Sequence, residues 1–239
     1  MDGADGPAEV VERTTGRCGE LVLQRRGGHY EIVANGVFLM DTRGGASERL
    51  LVTATAERMP PPGRLLIAGL GVGYSLAAAL RHPAVGAVAV VEREPAVVRW
   101  NLGPLAPVHG DALRDPRVTV HDADVVTWLS AAETASLDGI CLDIDNGPDW
   151  VVTPGNRWLY TEPGLCAAAR ALAHGGMLAV WSAAPSPALL DCMAAHFTEL
   201  RTVEVPVARG EPDVVILGRA RAEPPEGERR CALHRSCEG

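Results

Sequence analysis

The stretch Leu65-Leu66-Ile67-Ala68-Gly69-Leu70-Gly71-Val72-Gly73 runs an apolar strand directly into a loop with glycine at every second position, and helix-compatible sequence follows from Tyr74. Glycine at such places lets the backbone turn sharply and approach a ligand closely, although a purely structural strand-to-helix turn is spelled the same way. Outward from this point, short apolar runs at 64–69, 87–92, 117–121, 139–143, 177–181, 200–205 and 214–218 alternate with helical segments at 74–81, 95–102, 125–132, 163–174 and 187–197. That rhythm predicts βαβ units around a mainly parallel sheet, hence an α/β, Rossmann-like domain over 61–219. The last two runs are joined through Gly210-Glu211-Pro212, too short for a crossover, and so are expected to pair antiparallel.

Upstream, the β-compatible runs 20–25, 29–34 and 37–40 are broken by the hairpin signals Gly27-Gly28 and Asn35-Gly36, predicting a small antiparallel unit. A helix is expected over 47–58. Pro60-Pro61-Pro62-Gly63 then marks a domain boundary, so 17–60 reads as a β-hairpin unit plus a linking helix. Residues 1–16 and 220–239 read as disordered tails.

The 239 residues carry 47% hydrophobic and 22% charged side chains and a net charge of −8, which speaks against disorder and against nucleic acid or anionic lipid as partners. There is no apolar run of membrane-spanning length and no export signal, and the six cysteines are scattered, so a cytoplasmic protein without a disulfide framework is expected. All 22 basic residues are Arg, which removes Schiff-base chemistry and a P-loop lysine. Cys231, His234 and Cys237 match no strong zinc spacing, and no metal is expected.

Three strand ends outline an adenosine site. The glycine loop (Gly69, Leu70, Gly71, Gly73) is the first. The second strand ends in Glu92-Arg93, 23 residues beyond Gly69, placing a carboxylate where both ribose hydroxyls are in reach; the alternative is a surface acid before a helix. The third ends in His121-Asp122-Ala123, an acid and a backbone N–H suited to an adenine edge, or else an N-cap for the helix that follows. The fourth strand ends in Asp143-Ile144-Asp145-Asn146-Gly147-Pro148, at the carboxyl edge where open α/β sheets bind ligands. Asp143 reads as a general base or amine anchor, or as a turn carboxylate, with Asp145 and Asn146 beside it facing the acceptor. Trp150, Trp158 and Tyr160 either wall the acceptor or pack their loop onto the sheet.

In order and spacing, Gly69 to Gly73, Val90-Val91-Glu92-Arg93-Glu94-Pro95, Asp115-Pro116-Arg117-Val118, His121-Asp122-Ala123 and Leu142 to Pro148 resemble the spermidine synthase-like proteins of the class I S-adenosylmethionine (SAM) methyltransferase fold. The resemblance spans roughly 19–218. It implies a seven-stranded sheet with an antiparallel last strand, adenosine held by Glu92, Asp122 and Ala123, Asp143 as base, and often a homodimer. It also shows departures. The carboxylate with which aminopropyltransferases of this family grip decarboxylated SAM is matched by Val72, and family Gln, Tyr and Gln residues are matched by Leu39, Glu48 and Arg49. Arg49 is either a partner for the carboxylate of intact SAM or a solvated helix residue. The expected function is methyl transfer from SAM to a small amine-like acceptor; the alternatives are aminopropyl transfer from decarboxylated SAM and an inactive nucleoside-binding scaffold.

Overall fold

The computed structural model describes residues 6–207 and 211–221; the 220–239 tail beyond Arg221, with Cys231, His234 and Cys237, lies outside the described residues. Among the described residues the strands form two sheets. The smaller is an antiparallel meander of β1 (Glu9–Gly16), β2 (Gly19–Arg26), β3 (His29–Ala34) and β4 (Val37–Asp41). Asn35 and Gly36 both sit at positive φ, 50° and 78°, the backbone a two-residue hairpin turn requires. The Asn35 side chain also pins the β1–β2 turn, accepting from Glu20 N at 2.9 Å and donating to Cys18 O at 2.9 Å.

Residues 9–16 correct the sequence reading, which placed them in a loose tail: they form β1, paired antiparallel with β2. The strand is polar because it lies at a sheet edge, and what holds it is distant in sequence. Glu12 accepts from Trp100 Nε1 at 2.9 Å and from Arg99 Nη2 at 2.7 Å, and these bonds hold its carboxyl below its usual pKa.

The larger sheet comprises β5 (Gly63–Ala68), β6 (Val85–Glu92), β7 (Val118–Asp122), β8 (Leu137–Leu142), β9 (Leu172–Ser182), β10 (Phe197–Val205) and β11 (Asp213–Ala220), in the order β10-β11-β9-β8-β5-β6-β7. β11 is antiparallel to both neighbours, and the other pairings are parallel. The helices are α1 (Ala46–Ala56), α2 (Tyr74–Arg81), α3 (Pro95–Leu102), α4 (Ala106–His109), α5 (Val125–Ala131), α6 (Glu162–Ala171) and α7 (Pro187–His196).

Strands covered on both faces need apolar side chains at every position, which is why β5 reads as a continuous run. Leu65 and Ile67 join Val88, Val90, Cys141 and Leu217 under α1 to α3, whereas Leu66 and Ala68 join Ile140, Leu178 and Ile216 under α5 to α7. The small sheet adds Leu21, Leu23 and Ile32 to the first of these layers, against Val97 and Trp100 of α3.

The domain boundary at the prolines also needs correction. α1 is no linker: Leu51, Val52 and Thr55 are fully buried, and the helix packs on α2, β8, β9 and β11. The Pro60 to Pro62 run turns the chain from this helix into β5 inside one packed body. Among the described residues, no helix is long and apolar enough to cross a membrane.

Replacing Glu12 by Ala removes both bonds that moor β1 to α3. The expected loss is about 1 kcal/mol in denaturant unfolding at neutral pH, because the pair is partly solvated. The loss shrinks as pH falls through the depressed pKa of this carboxyl, where the wild-type side chain is itself protonated.

Candidate active site

β5 is the point from which the chain crosses first to β6 and β7 and later, in the opposite direction, to β8 and β9. The crevice outside the carboxyl ends of such strands is where open α/β sheets bind ligands. Here it is a cavity of about 480 Å³, roofed by the small sheet and floored by the ends of β5, β6 and β8.

The glycine loop shapes its floor. Gly69 has φ +90°, and a Cβ there would collide with the carbonyl oxygen of Asp143. Gly71, on the cavity wall at φ +52°, has no room for a Cβ beside Met40 Sδ. Asn101 Nδ2 donates to Gly71 O at 2.8 Å, tying the loop to α3. Val72 points away from the cavity into the core, fully buried. Gly73 starts α2 against the His109 ring and takes no part in the wall.

Glu92 is buried on that wall and splits its carboxylate between two backbone donors, Leu70 N at 3.0 Å and Glu94 N at 2.8 Å. Burial pushes its pKa up, while these N–H groups stabilise the anion and oppose the rise. A carboxylate oxygen has two lone pairs, so acceptor capacity remains for a ribose. Arg93 and Ala123 also line the cavity.

Asp143 stands at the other end of the floor. Ser75 Oγ donates to its Oδ2 at 2.6 Å, and its pKa is pushed up to about 7, first by desolvation and then by the negative charge of Glu48, with Asp213 adding to it. The carboxylate is therefore poised near neutrality, where a general base is most useful.

Several expected site residues are elsewhere. Asp122 is exposed, off the cavity wall, and engaged by Arg17 Nη2 at 2.8 Å, an ion pair across 105 positions that no local pattern announces. Arg49 does not reach the cavity; its guanidinium stacks over the Tyr74 ring at 4.1 Å and donates to Gly44 O. Trp150 is 65% exposed and Trp158 packs against the second core layer. Tyr160 is buried in that layer, its hydroxyl donating to Ile144 O at 3.4 Å, and burial raises its pKa. Trp158 and Tyr160 pack the loop onto the sheet, and none of the three rings lines the cavity.

Asp145 does line the cavity, but its carboxylate accepts from Val152 N, Thr153 N and Asn156 Nδ2, so it organises the loop at its own strained φ of 56°. Asn146 is on the wall, its backbone bonded to Trp150 and Ala183. The residues the sequence reading missed are Glu48 and Asn156, both on the wall, which Trp181 also lines. Glu48 carried a signal, since it stands where the resembling family has a Tyr.

Two outcomes follow from this geometry. Gly69→Ala loses about 3 kcal/mol or more of stability in chemical denaturation, combining the positive φ with a backbone clash. Asp143 has its folded-state pKa raised, so it takes up a proton on folding between about pH 4 and pH 7, and stability falls as pH climbs through that window. Asp143→Asn therefore melts higher than wild type at pH 8 and nearly equal to it at pH 4, by differential scanning calorimetry.

No family model matches the chain. It is 31% identical over 170 residues to the polyamine aminopropyltransferase of Mycobacterium tuberculosis (strain ATCC 25618 / H37Rv), covering 70% of this chain and 31% of that protein. It is 30% identical over 131 residues to putrescine N-methyltransferase 1 of Nicotiana tabacum, covering 54% of this chain and 33% of that protein. The chain thus spans about a third of the length of these relatives. Among solved structures, a spermidine synthase in complex with the transition-state analogue AdoDATO aligns with a TM-score of 0.77 at 16% identity, over 91% of this chain and 75% of that one. The spermidine synthase from Thermotoga maritima aligns with a TM-score of 0.74 at the same identity and coverage. With the sheet order and the strand-end motifs described above, the chain has the fold of the spermidine synthases and is similar in sequence, over 70% of its length, to a polyamine aminopropyltransferase.

Proposed function

We propose that the chain transfers a carbon group from a SAM-type donor to an amine acceptor, with methyl transfer from SAM itself as the first reading. The observation that carries it is Asp143, a carboxylate with a pKa of about 7 opening into the same cavity as the glycine loop and Glu92. The wall fits a nucleoside: the backbone of Gly71 lines it, and Glu92 offers a ribose a carboxyl acceptor already held in place by two backbone N–H groups.

When bound, the donor supplies an electrophilic carbon on its sulfonium, which passes to the amine lone pair while the C–S bonding pair remains on sulfur. The protein's share is to align, dry and deprotonate. An alkylammonium with pKa about 10.4 lies roughly 3.4 units above neutrality, so presenting its free amine costs roughly 4 to 5 kcal/mol. Asp143 accepts that proton, and a base near 7 is better matched to it than an ordinary carboxylate near 4. The small sheet contributes Leu21, Ile32 and Leu39 to the roof, apolar cover that keeps water from the reacting centre.

Methyl transfer is favoured by Val72: at the position where the resembling aminopropyltransferases grip the donor's amine, the side chain is apolar and turned into the core. Aminopropyl transfer is the second reading, favoured by a different observation. Beside Asp143 the wall carries Glu48, and Arg49 is stacked on Tyr74 off the wall, away from where the carboxylate of intact SAM would lie. The names of the relatives, a polyamine aminopropyltransferase and putrescine N-methyltransferases, cover both reactions.

Incubation with methyl-labelled SAM and 1,4-diaminobutane is expected to give labelled amine. Turnover rises with pH through about 7 as Asp143 ionises, and Asp143→Asn lowers it at least about 100-fold with donor affinity unchanged. Product only from decarboxylated SAM selects the second reading, and product from neither donor refutes the proposal.

A further inference from the structure

We propose that Glu48, oriented by Ser47 and Asp213, is a specificity-determining residue of the acceptor end of the cavity, where it binds the ammonium of a cationic acceptor beside Asp143. This rests on the transferase reading of the cavity and adds residues that neither the strand-end motifs nor Asp143 supply.

Glu48 lies in the first turn of α1 and lines the cavity, whereas Asp213, the first residue of β11, lies behind it and off the wall. Ser47, 4% exposed, joins them: its Oγ is 2.7 Å from Asp213 Oδ2 and 3.0 Å from Glu48 Oε2. A serine hydroxyl has one proton, so it donates to one of these carboxylates at a time, and Asp213 competes with Glu48 for the same donor. Ser75 stands on the other side of Glu48, its Oγ donating to Asp143 at 2.6 Å and lying 3.4 Å from the Glu48 carbonyl oxygen. The elements packed on α1 therefore present Asp143 and Asp213 towards Glu48 with Tyr74 and Ser75 from α2, while Arg49 is held on the Tyr74 ring. Among the described residues, none of these three carboxylates forms an ion pair.

A second group on the wall asks for the same ligand chemistry. Asn156 is 5% exposed, donates its Nδ2 to Asp145 at 2.8 Å, and leaves its carbonyl Oδ1 without a hydrogen-bond partner. A buried acceptor in that condition is costly unless a ligand supplies a donor. The carboxylates and this amide carbonyl accept, while Trp181 on the same wall offers a buried donor, Nε1, that has no hydrogen-bond partner among the described residues. An alkylammonium brings up to three N–H donors and a positive charge to Glu48, Asp143 and the Asn156 carbonyl, and a neutral alcohol brings no charge to the two carboxylates.

Asp213 is thus a positioning residue. Its role differs from a structural one in acting on the acceptor and not on the donor. The test is calorimetric titration of the full chain with 1,4-diaminobutane, with 1,4-butanediol and, separately, with SAM, followed by steady-state kinetics. Wild type is expected to bind the diamine and SAM but not the diol. Glu48→Gln raises the dissociation constant for the diamine tenfold or more and its KM likewise, leaves SAM affinity within about twofold, and moves the pH-dependent rise in turnover to lower pH because Asp143 loses a neighbouring negative charge. Asp213→Asn moves the same quantities at least threefold, and Asp213→Glu restores them. Folded variants at both positions that bind the diamine as wild type does overturn the proposal, as does equal weakening of SAM, which would assign Glu48 to the donor. Wild type that binds SAM but no amine overturns the acceptor assignment alone. Wild type that binds neither overturns the transferase reading beneath it.

Discussion

Gly69 rests against the carbonyl oxygen of Asp143 with no space for even one methyl group, and the site depends on that contact. It brings the end of β5 onto the end of β8 at the place where the chain's path through the sheet reverses. The nucleoside-facing loop and the acidic edge therefore share one floor. A side chain at this position would wedge the two strand ends apart and separate the two halves of the chemistry.

Two buried carboxylates on that floor start from the same physics and end differently. Burial raises the pKa of both Glu92 and Asp143. Glu92 is answered by backbone N–H groups from both sides, so its carboxyl is built into the scaffold that shapes the loop. Asp143 receives one hydroxyl and faces further negative charge, so its proton affinity stays high and is available for exchange. What distinguishes a structural acid from a reactive one here is the supply of fixed donors around it, not depth.

The parts of the fold that were legible from sequence were those encoded locally. Doubly buried strands such as 64–69, the glycine loop and the Asn35-Gly36 turn announce themselves through period and backbone conformation. The same held for the floor of the site, because strand-end residues are placed by the sheet itself. β1 was missed because its partners Trp100 and Arg99 are almost ninety positions away. Asp122 and Arg49, each with two readings in the sequence, lie off the cavity wall for a related reason: each has a competing partner, Arg17 or the Tyr74 ring, that spacing does not reveal. Glu48 was visible only as a departure from a family pattern, since its inward aim depends on a serine beside it and an aspartate 165 residues further on.

The roof of the cavity belongs to the small sheet and its floor to the large one, while Glu12 and Arg17 bolt the two together outside it. A molecule filling that space touches both bodies at once. Its binding energy then also opposes their separation, so occupancy and cooperative unfolding are thermodynamically linked: the fuller the crevice, the more the two sheets melt as a single unit.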